Sequence, residues 1–286
     1  METAEPEQKL LKEDEFQLKN NKKGLIIKLC IIFIIILIIG LIIFLIIHFK
    51  SDDSSDDSPP FNKIMKEDNY IHLVPKSGKY DYILIFIHGL LGSSEDFVST
   101  FNKKNGPVPD NFKIILPCAP IANVTRLNFS AHSWFDVLGK DGDKIPEEFI
   151  VFSDMDENAD KIKEIIKEEA KNINNNYKRI FVGGFSQGAI MSFHIGLSFE
   201  YTLGGIIPFC GIPHSQTQKN KDNENLNILS FLGGKDIYID LKYAKSHIEG
   251  ILANYTNLNI KVYENNLHEV GQDELEEFKK YIKTWL

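Results

Sequence analysis

The sequence predicts an α/β fold: a mostly parallel, doubly wound sheet with helices on both faces, preceded by one transmembrane helix. Three observations predict it. Short continuous apolar runs, several closed by glycine, alternate with longer stretches of helical periodicity. A serine flanked by glycines, "GGFSQG", follows one of those runs directly. A nineteen-residue run without a charge, "LCIIFIIILIIGLIIFLII", lies near the amino terminus.

Taken from the amino terminus, residues 1–28 read as a short polar tail and 29–49 as a membrane-spanning signal anchor. The uncharged run from Leu29 to Ile47 gives roughly 28 Å of helix, about the hydrocarbon thickness of a bilayer. Lys19, Lys22, Lys23 and Lys28 crowd its amino-terminal flank, so the positive-inside rule predicts a cytosolic tail and a lumenal or extracellular carboxy-terminal domain. Three glycosylation sequons, at Asn123, Asn128 and Asn254, agree with that topology. Residues 50–68, containing "SDDSSDDSPP", read as an acidic linker, and residues 69–286 as one domain.

Within that domain "YILIFIHG" (82–89), "FKIILP" (112–117) and "RIFVGG" (179–184) are continuous apolar runs, expected of strands buried on both faces. "LGGIIPFCG" (203–211), "LNILSFLGG" (226–234) and "LNIKVYE" (258–264) read the same way. Helices are predicted over 157–173, 187–199, 240–255 and 273–286. Alternation of buried strands with helices implies a parallel sheet covered on both sides, with ligands at the carboxyl ends of the strands. Ser186 stands at one such end.

The spacing Gly184-Phe185-Ser186-Gln187-Gly188 is that of a nucleophile elbow, a sharp strand-to-helix turn with no room for side chains two places either side of the serine. A hydroxyl becomes a nucleophile when an imidazole takes its proton and a carboxylate orients the imidazole. In this fold the acid and the histidine follow the serine in that order. Asp236, in "SFLGGKD", and His268, in "VYENNLHEV", each come just after a strand. Asp240 reads as a helix N-cap. His194 and His247 fall within predicted helices, and His214 falls in a loop too early for the expected order, where it remains an alternative base. Stabilising an oxyanion takes backbone N–H groups: Gln187, after the serine, and Leu90, in "HGLLGSS", are the candidates. His88 reads as a loop-shaping residue.

At these residues the sequence resembles the acyl-protein thioesterase and phospholipase/carboxylesterase family of α/β-hydrolases. The resemblance is carried by "IFIHGLLGS", "KIILPCAP", "SWFD", "GGFSQGAIMS", "LGGII", "GGKD" and "YENNLH", in that order. It implies Ser186 as nucleophile, Asp236 as acid, His268 as base, Leu90 and Gln187 as oxyanion donors, and Trp134 at the active-site rim. Leu91-Gly92-Ser93 departs from the family's H-G-L-G-D spacing.

A net charge of -8, with no basic stripe, argues against a nucleic-acid surface. Cys30, Cys118 and Cys210 show no zinc-type spacing, and neither a metal nor an organic cofactor is expected. Two strands are expected between the Cys118 and Cys210 strands, a separation of roughly 14 Å, too far for a disulfide. The expected activity is hydrolysis of small esters, thioesters or lysophospholipids through an acyl-enzyme. The rival readings are a serine peptidase of the same fold and a catalytically silent membrane-anchored binding domain. The segment between the fourth and fifth predicted strands (212–225) is polar and short, and 121–145 offers a wall but no gate, so an open acyl groove without a lid is expected.

Overall fold

The computed structural model describes residues 58–286, apart from Asp141. The segment expected to cross a membrane, 29–49, lies outside the described residues, as do the tail and Cys30. Among the described residues no helix is long and apolar enough to cross a membrane.

Residues 58–286 form one compact unit around an eight-stranded sheet. Its strands are β1 (Phe61–Met65), β2 (Ile71–Pro75), β3 (Tyr82–Ile87), β4 (Phe112–Leu116), β7 (Ile180–Phe185), β8 (Gly205–Phe209), β9 (Ile228–Gly233) and β10 (Leu258–Tyr263). They lie in the order β1-β2-β4-β3-β7-β8-β9-β10. β1–β2 and β2–β4 pair antiparallel and all other neighbours pair parallel. A separate hairpin, β5 (Ile121–Val124) with β6 (Phe129–His132), stands apart from the sheet. β1 falls within the stretch expected to be linker. Its sequence gives no strand signal because only Phe61 is buried and the other four residues face solvent.

The helices are α1 (Val98–Phe101), α2 (Phe152–Ala170), α3 (Gln187–Ser198), α4 (Leu241–Ile251) and α5 (Gln272–Trp285). Successive side chains of a strand point to opposite faces, and the apolar runs use both. Ile83, Ile85 and Ile87 of β3, with Ile180 and Val182 of β7, pack among α2, α3 and α4. Leu84, Phe86 and Phe181 pack on the other side with Phe101 of α1 and Leu275, Phe278 and Ile282 of α5. This two-sided burial is why those strands are apolar throughout.

The charges of α2 form surface pairs one turn apart, Lys161–Glu157, Lys163–Asp160 and Lys167–Glu164. Such exposed pairs are screened by solvent and contribute little to stability. Glu169 differs: it is buried, and both its oxygens accept from Lys113 Nζ of β4 at 2.7 Å, tying the helix to the sheet. Cys118 and Cys210 are free thiols at the ends of β4 and β8, with β3 and β7 between them as expected.

Candidate active site

β3 and β7 lie at the centre of the sheet, and α3 starts immediately after β7. Ser186, between them, has φ 56° and ψ -116°, a conformation that costs an ordinary residue strain and lifts its side chain out of the strand line. The two glycines make the turn possible. A Cβ on Gly184 would lie 2.4 Å from the backbone of Gly188, and one on Gly188 would lie 2.0 Å from the carbonyl oxygen of Ile87. Ser186 N–H donates to Phe209 O at 2.9 Å, fastening the turn to β8.

His268, in the loop between β10 and α5, lies 2.8 Å through Nε2 from Ser186 Oγ. Its Nδ1 lies 2.7 Å from Asp236 Oδ2. Asp236 follows β9, and its other oxygen accepts the N–H groups of Tyr238 at 2.8 Å and Ile239 at 2.9 Å. Burial pushes the Asp236 carboxyl up, but the hydrogen bond and charge of His268 and those two N–H groups outweigh it and hold it below its ordinary value. An ionised carboxylate only accepts, so Nδ1 carries the proton and Nε2 presents a lone pair to the serine hydroxyl. The imidazole sits between aromatic rings, with centroids 4.9 Å from Phe185 and 5.0 Å from Tyr238.

Leu90 and Gln187 border the same cavity. No described residue accepts a hydrogen bond from either backbone N–H. The altered spacing after β3 is absorbed by Leu91, which takes φ 66° and donates its N–H to His132 O at 3.0 Å. His88 shapes the loop as expected: Nδ1 meets Gly89 O at 2.7 Å and Nε2 accepts from Ala119 N at 3.0 Å. Burial lowers its pKa, which keeps the ring neutral in this role.

Trp134 requires a correction. It does not line the cavity; its ring is buried, with Nε1–H donating to His88 O at 2.9 Å. The neighbouring Phe135 lines the cavity instead. Both rings are equally shut off from bulk solvent, at 2 % exposure each; what separates them is that Phe135 lines the cavity while Trp134 turns to the His88 carbonyl. The Gln187 side chain, unanticipated from sequence, braces this stretch: Oε1 accepts Trp134 N–H at 3.0 Å and Nε2 donates to Phe135 O at 2.9 Å.

The remaining predicted residues lie elsewhere. His194 is buried between Asp156 and Thr217, and burial lowers its pKa. His214 accepts from Gln216 N–H at 3.2 Å beside Glu147, away from the cavity, so the alternative base is not beside the serine. Asp240 caps α4 by accepting Tyr243 N–H at 2.9 Å. Asn123, Asn128 and Asn254 are exposed. As for metals, one group among the described residues, Cys210, Asp236 and His268, places ligand atoms within 4.8 Å of one another. Two of these already bond each other, and burial pushes the Cys210 thiol up, so it stays protonated and donates to Glu269 O at 3.4 Å.

The cavity over Ser186 has a volume of about 430 Å³. Its wall comes from the β5–β6 hairpin and the stretch after it, through Leu127, Phe129, Phe135, Val137 and Ile145. The segment 212–225 contributes nothing to it.

A mostly parallel sheet carrying a serine at a strained strand-to-helix turn, with an acid after β9 and a histidine after β10, defines an α/β-hydrolase. The phospholipase/carboxylesterase family matches residues 68–286, and the chain belongs to it. It is a hydrolase of the esterase and thioesterase type. Acyl-protein thioesterase 1 of Saccharomyces cerevisiae is 30 % identical over 216 residues, 71 % of this chain and 92 % of the relative. Acyl-protein thioesterase 1 homolog 1 of Dictyostelium discoideum is 29 % identical over 210 residues, 71 % of this chain and 90 % of the relative. The crystal structure of Zea mays acyl-protein thioesterase 2 shares the fold, with a TM-score of 0.63, 22 % identity and coverage of 76 % of this chain and 98 % of its own.

These matches correct the expected localisation. Relatives matched over nine-tenths or more of their own length are acyl-protein thioesterases. Among the described residues no helix is long and apolar enough to span a bilayer. The single-pass placement, with the catalytic domain lumenal or extracellular, is therefore not retained.

Proposed function

We propose that Ser186, His268 and Asp236 act as a catalytic triad that hydrolyses carboxylic esters or thioesters through an acyl-enzyme. Ser186 Oγ attacks the acyl carbon as His268 Nε2 takes its proton, and the carbonyl π pair moves onto oxygen. The N–H groups of Leu90 and Gln187 receive that oxyanion, helped by the positive end of α3. Collapse expels the alcohol or thiol, which takes the proton from Nε2. Water then repeats the sequence on the acyl-serine and releases the acid. Asp236 keeps the proton on Nδ1 and stabilises the imidazolium when it forms.

The observation that supports this reading is the continuous hydrogen-bonded line from Ser186 to His268 to Asp236, at 2.8 and 2.7 Å, opening into an apolar cavity. The relatives' names add acylated proteins to a substrate class of small esters, thioesters and lysophospholipids. Ser186→Ala and His268→Ala should each lower kcat on a chromogenic ester by about a millionfold, since such groups act as a unit. Near-normal turnover by Ser186→Ala would place the nucleophile elsewhere.

A further inference from the structure

We infer that Arg126 gives the cavity an anion-binding subsite, so that the preferred substrates carry, besides the scissile ester, a carboxylate or phosphate. The inference rests on the Ser186 reading for its chemistry and on Arg126 for its specificity. Arg126 follows β5, and its N–H donates to Val137 O at 2.9 Å, which fixes the backbone beside the cavity. The residue is 7 % exposed and lines the same cavity as Ser186 and His268. Among the described residues its guanidinium makes one hydrogen bond, from one terminal nitrogen to Asp143 O, and the other terminal nitrogen is buried without a partner. The other lining residues are apolar or uncharged, apart from His268.

A guanidinium does not shed its proton in a protein, so burial cannot neutralise it as it neutralises a lysine or histidine. A buried fixed charge without a counter-charge is costly, and buried polar groups normally find partners. A single carbonyl leaves most of the donors in this fork unused. The group that matches the fork is a planar carboxylate or a phosphate, bound through two N–H groups. In an otherwise apolar cavity that partner comes with the substrate. The anion has two possible positions, the far end of the acyl chain or the leaving half.

The test compares esters of matched length. For the acyl half, the pair is a p-nitrophenyl half-ester of a dicarboxylic acid and its methyl-capped neutral analogue. For the leaving half, the pair is a lysophosphatidate and the corresponding monoacylglycerol. In one pair or the other, the wild-type protein should favour the anionic member roughly 10- to 100-fold in kcat/KM, as expected of a charge-assisted hydrogen bond. Arg126→Gln should abolish that preference and leave the neutral rate within a few-fold, and Arg126→Lys should keep part of it. The neutral ester is also the control for folding. If neither pair shows a preference, or if Arg126→Gln slows both members equally, Arg126 is a loop brace and the inference falls. Adipate binding to Ser186→Ala protein, followed by thermal shift with and without Arg126→Gln, tests the acyl-side subsite without turnover. Binding abolished by Arg126→Gln sustains the subsite even if the triad reading fails. Equal binding by both proteins overturns an acyl-side subsite.

Discussion

Glu274, in the first turn of α5, has no exposed surface, and its Oε2 accepts the N–H of Gly271 at 2.7 Å, closing the loop that carries His268. Burial pushes its carboxyl up from 4.5 to about 7, against the pull of the Gly271 N–H and the nearby Asn266 amide. The native protein therefore holds a proton here that the unfolded chain has released above pH 4.5. The stability contributed by Glu274 should fall as pH rises from about 4.5 to 7, by about 3 kcal/mol in all, and this contribution should stay level above. Glu274→Gln keeps an acceptor for Gly271 and removes the ionisation. Relative to wild type it should change little at pH 4.5 and gain up to about 3 kcal/mol at pH 8. His72 titrates in an overlapping window with the opposite sign: burial, and then Lys113, lower it to about 4. Its neutral form contributes stability above 6.5 that is lost as pH falls toward 4. The difference between variant and wild type cancels that contribution. Urea unfolding of both proteins from pH 4.5 to 8 is the assay. A variant less stable than wild type at pH 8, or a difference that does not grow with pH, would refute the argument.

Asp236→Asn should fold normally and lower kcat about 10,000-fold, because the amide stabilises the wrong imidazole tautomer; steady-state kinetics beside a thermal melt checks both halves. Gly188→Ala should destabilise by at least ~3 kcal/mol, since the new methyl meets the Ile87 carbonyl at 2.0 Å with backbone on both sides, and should lower Tm by roughly 6 °C or more. With the wall formed by the β5–β6 hairpin and nothing from 212–225 over Ser186, activity on a short-chain ester should rise smoothly through its solubility limit; a sharp jump there would reveal a lid.

The parts of the molecule that show in the sequence are those whose burial is complete or whose backbone is exceptional. β3, β7 and β9 bury both faces, so their apolar runs match the strands to within one or two residues at most ends. Gly184 and Gly188 show because no other residue fits the turn, and Asp236 and His268 show because the fold sets their order. β1 is an edge strand with one buried residue and leaves no pattern. The β5–β6 hairpin is half exposed and carries charge and amide side chains, so it reads as loop. Trp134 belongs to a recognisable motif, but only the fold decides that Phe135 lines the cavity and Trp134 does not. Arg126 sits beside a sequon with no local signal; a charge inside a stretch that otherwise supplies cavity wall is the one hint its position offers.

The central claim is that Ser186 is the nucleophile. A fluorophosphonate probe followed by proteolysis and mass spectrometry tests it most directly. The account predicts one covalent phosphonyl adduct, on the peptide containing Ser186, in wild-type protein and none in Ser186→Ala. An adduct that persists in Ser186→Ala, or a wild-type protein that turns over ester substrates yet stays unlabelled by the probe, would contradict it.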